Sequence, residues 1–153
     1  LFRNTGGRFE DVSARAGKVF DLVEAGRGAA FGDVDNDGDT DVLVANGAGP
    51  GRLLLNNIGA AQHWVGLRLV SPTLKRDLAG ARVEVRRASG PALVRHVRAD
   101  GSYASANDPR VLVGLGASAE QPRVRVVWPD GKAEEWTSVP VNQYSTLTQG
   151  TAK

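Results

Sequence analysis

Hydrophobic and polar residues alternate along the second half of the chain with the period of two expected of a half-buried strand. His63-Trp64-Val65-Gly66-Leu67-Arg68-Leu69-Val70 opens the pattern. Ala81 to Arg86 continues it, with Val83 and Val85 inward and the charged residues outward. Leu93 to Ala99, Arg110 to Leu115, Arg123 to Trp128, Glu134 to Thr137 and Tyr144 to Thr148 repeat it. Ser89-Gly90-Pro91, Asp100-Gly101 and Pro129-Asp130-Gly131 are the turn signals between them. Short strands at this spacing predict a compact antiparallel sandwich or barrel over residues 63–150, packed on one face and wet on the other.

The first 60 residues read differently. Arg8 to Val12 follows a Gly-Gly turn, Ser13 to Gly17 suits a brief helical turn, and Gly28 to Gly32 leads into an acidic segment. Asp41-Val42-Leu43-Val44-Ala45-Asn46 is a short apolar run rich in β-branched residues, hence a buried strand, and Arg52 to Asn56 is another. Leu1-Phe2-Arg3-Asn4-Thr5-Gly6-Gly7 resembles Leu53-Leu54-Leu55-Asn56-Asn57-Ile58-Gly59 at an offset of 52 residues. Such a period belongs to propeller blades and related arrays, so residues 1–60 are expected to hold about one repeat unit, entered partway. The character of the chain changes at residues 57–62.

Composition refines this picture. The 153 residues include 19 Gly and 7 Pro, which favours turns and short strands over long helices. There is no Cys, so disulfides, thiolate metal sites and cysteine nucleophiles are excluded. No apolar stretch approaches the length of a membrane span. The chain starts at Leu1 without a Met or a signal peptide, as expected of a processed product or part of a longer chain. Five of the 17 acidic residues lie within positions 33–41, which leaves the remainder basic. A basic remainder suits an anionic glycan, a lipid surface or nucleic acid, but also a plain solvated strand face. No dense Lys/Arg run or nucleic-acid-binding motif is present. Trp64, Trp128 and Trp136 lie within strand patterns and are expected in the core. His63 and His96 have no metal-ligand spacing and are expected on strand faces. Gly101 to Pro109 reads as a structural connection, with a binding loop as the alternative.

The chemistry concentrates in Asp33-Val34-Asp35-Asn36-Asp37-Gly38-Asp39-Thr40-Asp41. Carboxylates gathered in one loop repel each other unless a cation compensates, and an all-oxygen ligand set suits Ca2+, with Mg2+ second. Asp33, Asp35 and Asp37 are expected to turn their side chains inward, and Gly38 permits the sharp turn. Asp39 is expected to offer its carbonyl and face its side chain to solvent. Asp41 closes the loop. An EF-hand would need Glu at the twelfth position, which is Val44, and flanking helices. A phosphotransfer hydrolase with Asp-x-Asp after a strand would need a βαβ rhythm that is absent.

Gly28 to Val44, with this acidic loop at its centre, resembles the FG-GAP/VCBS repeat. That resemblance implies a propeller-blade-like unit holding Ca2+ through the side chains of Asp33, Asp35, Asp37 and Asp41 and the carbonyl of Asp39. His63 to Leu67, Asp77 to Val83, Gly101-Ser102-Tyr103, Asp108-Pro109-Arg110, Val113 to Gly116 and Val127 to Gly131 resemble the ASPIC/UnbV domain. Together they look like the C-terminal part of cartilage-acidic-protein-like and UnbV-type proteins. Only one complete acidic loop is present, where that family carries several repeats. The expectation is therefore an all-β chain: a blade-like unit at 1–60 and an antiparallel β-sandwich-like domain at 63–150. The resemblance implies an extracellular or periplasmic, non-catalytic module with a protein or glycan partner or further repeats, and no nucleic acid. An accessory subunit of a larger complex or filament is the alternative, and a biosynthetic role is a third.

Overall fold

A computed structural model describes residues 1–58, 61–101 and 103–152. Gly59 and Ala60 (the end of the repeat and part of the expected change of character), Ser102 in the irregular segment and Lys153 lie outside the described residues. The chain is all-β, as expected. Its strands are β1 (Phe2–Asn4), β2 (Phe9–Asp11), β3 (Gly26–Gly32), β4 (Asp41–Asn46), β5 (Arg52–Leu54), β6 (His63–Val70), β7 (Arg82–Arg86), β8 (Leu93–His96), β9 (Val111–Gly116), β10 (Arg123–Val127), β11 (Ala133–Trp136) and β12 (Tyr144–Thr148). Two short 3-10 turns, Ser13–Arg15 and Lys18–Asp21, separate β2 from β3.

Two sheets build the C-terminal half, in the orders β12-β6-β9 and β11-β10-β7-β8. The period-two alternation drives their packing, because every second side chain of each strand points to the same face. Val65, Leu67 and Leu69 of β6, Val111, Val113 and Leu115 of β9, and Leu147 of β12 meet Val83, Val85, Val124 and Val126 from the other sheet in one core. Trp128 is buried in that core, and Trp136 packs against it edge-on at 6.2 Å. The arrangement is sandwich-like, and its pairings are antiparallel except that β12 lies parallel to β6, with Tyr144 opposite Gly66.

The N-terminal segment forms a two-stranded ladder, β1-β2, and a three-stranded sheet, β3-β4-β5. Among its described residues none of the hydrophobic side chains is buried, and the buried residues are Asp33, Asp39 and Asp41. The apolar run of β4 is therefore not the buried strand expected. Leu43 and Leu53, paired across β4 and β5, are each about half exposed. On the other face Val42, Val44 and Leu54 face the second 3-10 turn, with Val19 and Phe20 among the residues beside them.

Candidate cation site and the junction beneath it

The acidic loop joins β3 to β4, and those strands fix its two ends: Gly32 pairs with Asp41 in the last rung of the ladder. Inside the loop the backbone turns through the left-handed region at Asn36 (φ 61°) and Gly38 (φ 96°), which Asn tolerates and Gly favours. The Asp33 carboxylate sits at the centre of the turn. Its Oδ1 accepts the Asp37 N–H at 3.1 Å, and its Oδ2 accepts the Gly38 N–H at 3.0 Å. Asp37 Oδ1 in turn accepts the Asp39 N–H at 3.0 Å.

One carboxylate oxygen each from Asp33, Asp35 and Asp37 lies within 4.8 Å of the others. The alternating spacing thus brings these three together, with Asp33 buried, Asp37 half-buried and Asp35 exposed. Asp41, at the base, is buried and ties the loop to its surroundings: Oδ2 accepts Val34 N–H at 2.8 Å and Oδ1 accepts Asn56 N–H at 2.9 Å. Asp39 departs from expectation, because its side chain is buried rather than turned to solvent. The loop does not stand free in water. It lies against the C-terminal half, and the residue before Asp39 is pressed on Trp64.

That contact is close. A Cβ placed on Gly38 would come within 2.0 Å of the Trp64 indole nitrogen. Tyr144 packs beside the same indole, with ring centroids 5.3 Å apart, and its hydroxyl donates to Asp33 Oδ2 at 2.9 Å. Gly66, under Tyr144, makes room for that ring, since a Cβ there would lie 2.4 Å from it. Burial pushes the Tyr144 phenol well above its ordinary range, and the hydrogen bond to Asp33 and the charge of that carboxylate push the same way. The phenol therefore remains a hydrogen-bond donor.

Arg110 completes the junction. Its guanidinium donates to the Asp33 carbonyl at 2.7 Å, to Asn36 Oδ1 at 2.6 Å and to Asp108 Oδ2 at 2.7 Å, and it lies 4.0 Å over the Tyr144 ring. The Asp108 carboxylate raises its pKa first of all, against burial. Beside it the backbone of β3 is extended by the chain at 107–108. Asp108 N–H donates to the Phe31 carbonyl at 2.9 Å, and Phe31 N–H donates to Asn107 Oδ1 at 3.0 Å. The irregular segment expected to be a plain connection thus joins the two halves. Periodicity placed Arg110 and Tyr144 at strand starts but gave no sign that they or Asn107 meet the acidic loop, although Asp108-Pro109-Arg110 is among the stretches that carry the ASPIC/UnbV resemblance. A glycine inside a strand is a sign of close approach, and Gly66 carried it.

Residues 71–153, more than half of the chain, match the family described as ASPIC and UnbV. The chain belongs to that family. The matched span contains β7 to β12, together with Arg110 and Tyr144 of the junction; β6, which precedes it, supplies the central strand of one ASPIC/UnbV sheet. Cartilage acidic protein 1 of Xenopus tropicalis is 43% identical over 56 residues, 36% of this chain. The aligned part spans only 8% of the length of that relative.

Proposed function

We propose that this chain is a calcium-binding, non-catalytic module for adhesion, interaction or assembly outside the cytoplasm, with the β3–loop–β4 unit acting as an FG-GAP/VCBS-type repeat. The observation that carries the reading is the convergence of Asp33, Asp35 and Asp37 oxygens within 4.8 Å. The donor set is all oxygen and anionic, the chemistry a hard divalent ion takes. The loop backbone is already turned around the Asp33 carboxylate by the Asp37 and Gly38 amides. A bound Ca2+ would supply the positive charge that lets these carboxylates sit together. Asp33, Asp35 and Asp37 would hold it, with Asp39 and Asp41 framing the loop. The extracellular or periplasmic placement rests on the resemblance to cartilage-acidic-protein-like chains.

The test is thermal unfolding in excess Ca2+ against chelator, with Asp37→Ala as control. An ion at a hundred times its dissociation constant adds about 2.7 kcal/mol, roughly 5–10 °C for a chain of this size. Trp64 and Tyr144 lie beside the loop, so Tb3+ in place of Ca2+ should luminesce on excitation of these rings. A Ca2+-specific rise that vanishes in the variant supports the reading; no shift and no Tb3+ signal refutes it. A second reading, an accessory structural subunit of a larger assembly, is favoured by the half-exposed Leu43, Leu53 and Leu55. Sedimentation bears on this second reading: a monomer at all concentrations weakens it, and concentration-dependent association supports it.

A further inference from the structure

The outward face of the β11-β10-β7-β8 sheet carries a cluster that the cation loop does not involve. Its outward positions include Arg82, Glu84 and Arg86 of β7 and Arg123 and Arg125 of β10, since Val83, Val85, Val124 and Val126 point into the core. Glu84 is the hub. Its carboxylate takes Arg82 at 2.5 Å and Arg125 at 3.3 Å on Oε1, and Arg86 at 3.2 Å on Oε2. One negative charge thus holds three guanidinium groups in place while each keeps a third or more of its side chain in solvent. Arg123 stands directly across the ladder from Arg86, and among the described residues it has no carboxylate partner. Glu135, opposite Arg125, is the other acid on this face, and His96, opposite Arg82, extends the basic side. Like charges directly across a ladder destabilise it, and an external oxyanion would relieve that repulsion.

We infer that this face binds an anionic polysaccharide through repeated sulfate or carboxylate groups. Guanidinium forks match such oxyanions in two-point geometry, and here they are pre-ordered by Glu84, which lowers the entropy lost on binding. The backbones of Arg82 and Arg86 are about 13 Å apart along the strand at about 3.3 Å per residue, and those of Arg86 and Arg123 about 5 Å apart across it. The guanidinium groups of Arg82, Arg86 and Arg125 gather on Glu84, and with Arg123 beside Arg86 they make one basic patch on an open sheet face that suits neighbouring acidic groups of a linear polyanion. The outward positions hold no Phe, Tyr or Trp on which nucleic-acid bases would stack, and their apolar side chains, Val94, Val127 and Ala133, are too short to enter a bilayer. The inference specifies the partner of the proposed interaction role but does not need the loop to hold a cation.

The experiment is binding of the whole chain to fluorescent heparin fragments (sulfated) and alginate fragments (carboxylated), with neutral dextran, a single-stranded oligonucleotide and anionic phosphatidylserine vesicles as comparisons. Each is measured with Ca2+ and with chelator. Arg86→Ser with Arg123→Ser is the informative variant, because Glu84 keeps two of its three partners, Arg82 and Arg125. Arg3→Ser with Arg8→Ser removes the same charge from the N-terminal segment. The expected result is salt-sensitive binding to one or both polysaccharides, equal in Ca2+ and in chelator. It should weaken at least tenfold in the first double variant and less than twofold in the second. The sulfated and carboxylated arms identify the oxyanion. Equal weakening in both variants, tighter binding to the oligonucleotide or the vesicles, or no binding to either polysaccharide at low salt overturns the inference. Loss of binding only in chelator would do so too. A failure of the Ca2+ test with polysaccharide binding intact would leave this inference standing.

Discussion

Replacing Gly38 by Ala tests whether the loop is held by its seat on Trp64. Two costs are separable. Gly38 sits at φ 96°, and a left-handed backbone costs an L-residue about 1–2 kcal/mol. The added methyl would also lie 2.0 Å from Nε1 and 2.2 Å from Cδ1 and Cε2 of Trp64. That indole cannot swing away, because it is only 5% exposed and packs on Tyr144. The loop must lift or the core must shift, at about 1–3 kcal/mol more. The expected total is about 2–5 kcal/mol. Gly131 is the matched control: it has φ 85° and nothing within 4 Å of its added methyl, so Gly131→Ala carries the backbone cost alone. Urea denaturation followed by tryptophan fluorescence reads both. Trp64→Phe, which shrinks the ring, should bring the Gly38→Ala loss down towards the control. Equal losses in Gly38→Ala and Gly131→Ala, with no coupling to Trp64→Phe, would refute the claim that the loop is clamped on this indole.

Asp41→Ala leaves the Val34 and Asn56 amides without their acceptor at a partly buried site, and each lost hydrogen bond costs about 0.5–1.5 kcal/mol. The loss should appear by thermal denaturation in chelator, where no cation contributes. Glu84 gives a pH signature. Burial opposes its ionised form, but the charges of Arg82 and Arg125 and the hydrogen bonds from Arg86 and Arg82 hold its carboxyl below the ordinary value of 4.5. A depressed folded-state pKa contributes stability that is present above the unfolded value and lost as pH falls through the folded one. Stability measured below pH 4.5 should therefore fall less steeply in Glu84→Gln than in the parent chain.

The strands of the ASPIC/UnbV half were legible because one face of each sheet is buried and the other wet. Ala81 to Arg86 and Arg123 to Trp128 state that alternation openly, and β7 and β10 lie within them. Where both faces are covered the alternation fails: Trp64, Val65, Gly66 and Leu67 are all buried, because the acidic loop and Tyr144 cover one side of β6 and the core the other. Direction is not encoded by periodicity, so the parallel pairing of β12 with β6 came only from the structure. Leu93 to Ala99 reads as one strand, yet β8 ends at His96; Val97 stays buried and its amide turns to the Ala81 carbonyl. In the loop, spacing brought Asp33, Asp35 and Asp37 together. It missed the burial of Asp39, and it missed Arg110 and Tyr144, which lie 77 and 111 positions from Asp33. Contacts that distant leave no local pattern.

The distribution of buried residues explains why the loop and the junction belong together. A sheet is normally stabilised by the apolar surface it removes from water, yet the N-terminal segment buries three aspartates and no hydrophobic side chain among its described residues. Partly buried side chains such as Val42, Val44 and Leu54 supply only some of its order. Part is supplied by the amides that close around Asp33 and Asp41, and part by Trp64, Arg110, Tyr144 and the chain at 107–108, all of which lie beyond the segment itself. Arg110 and Tyr144 both address Asp33, whose carboxylate also lies in the acidic cluster. Whatever shifts that carboxylate is felt at the junction, and whatever loosens the junction is felt at the carboxylate. A site built this way reports on the docking of the two halves as much as on its own loop. The C-terminal half depends less on the junction, because its main core is closed by its own two sheets and Trp64 is the buried side chain that the loop covers.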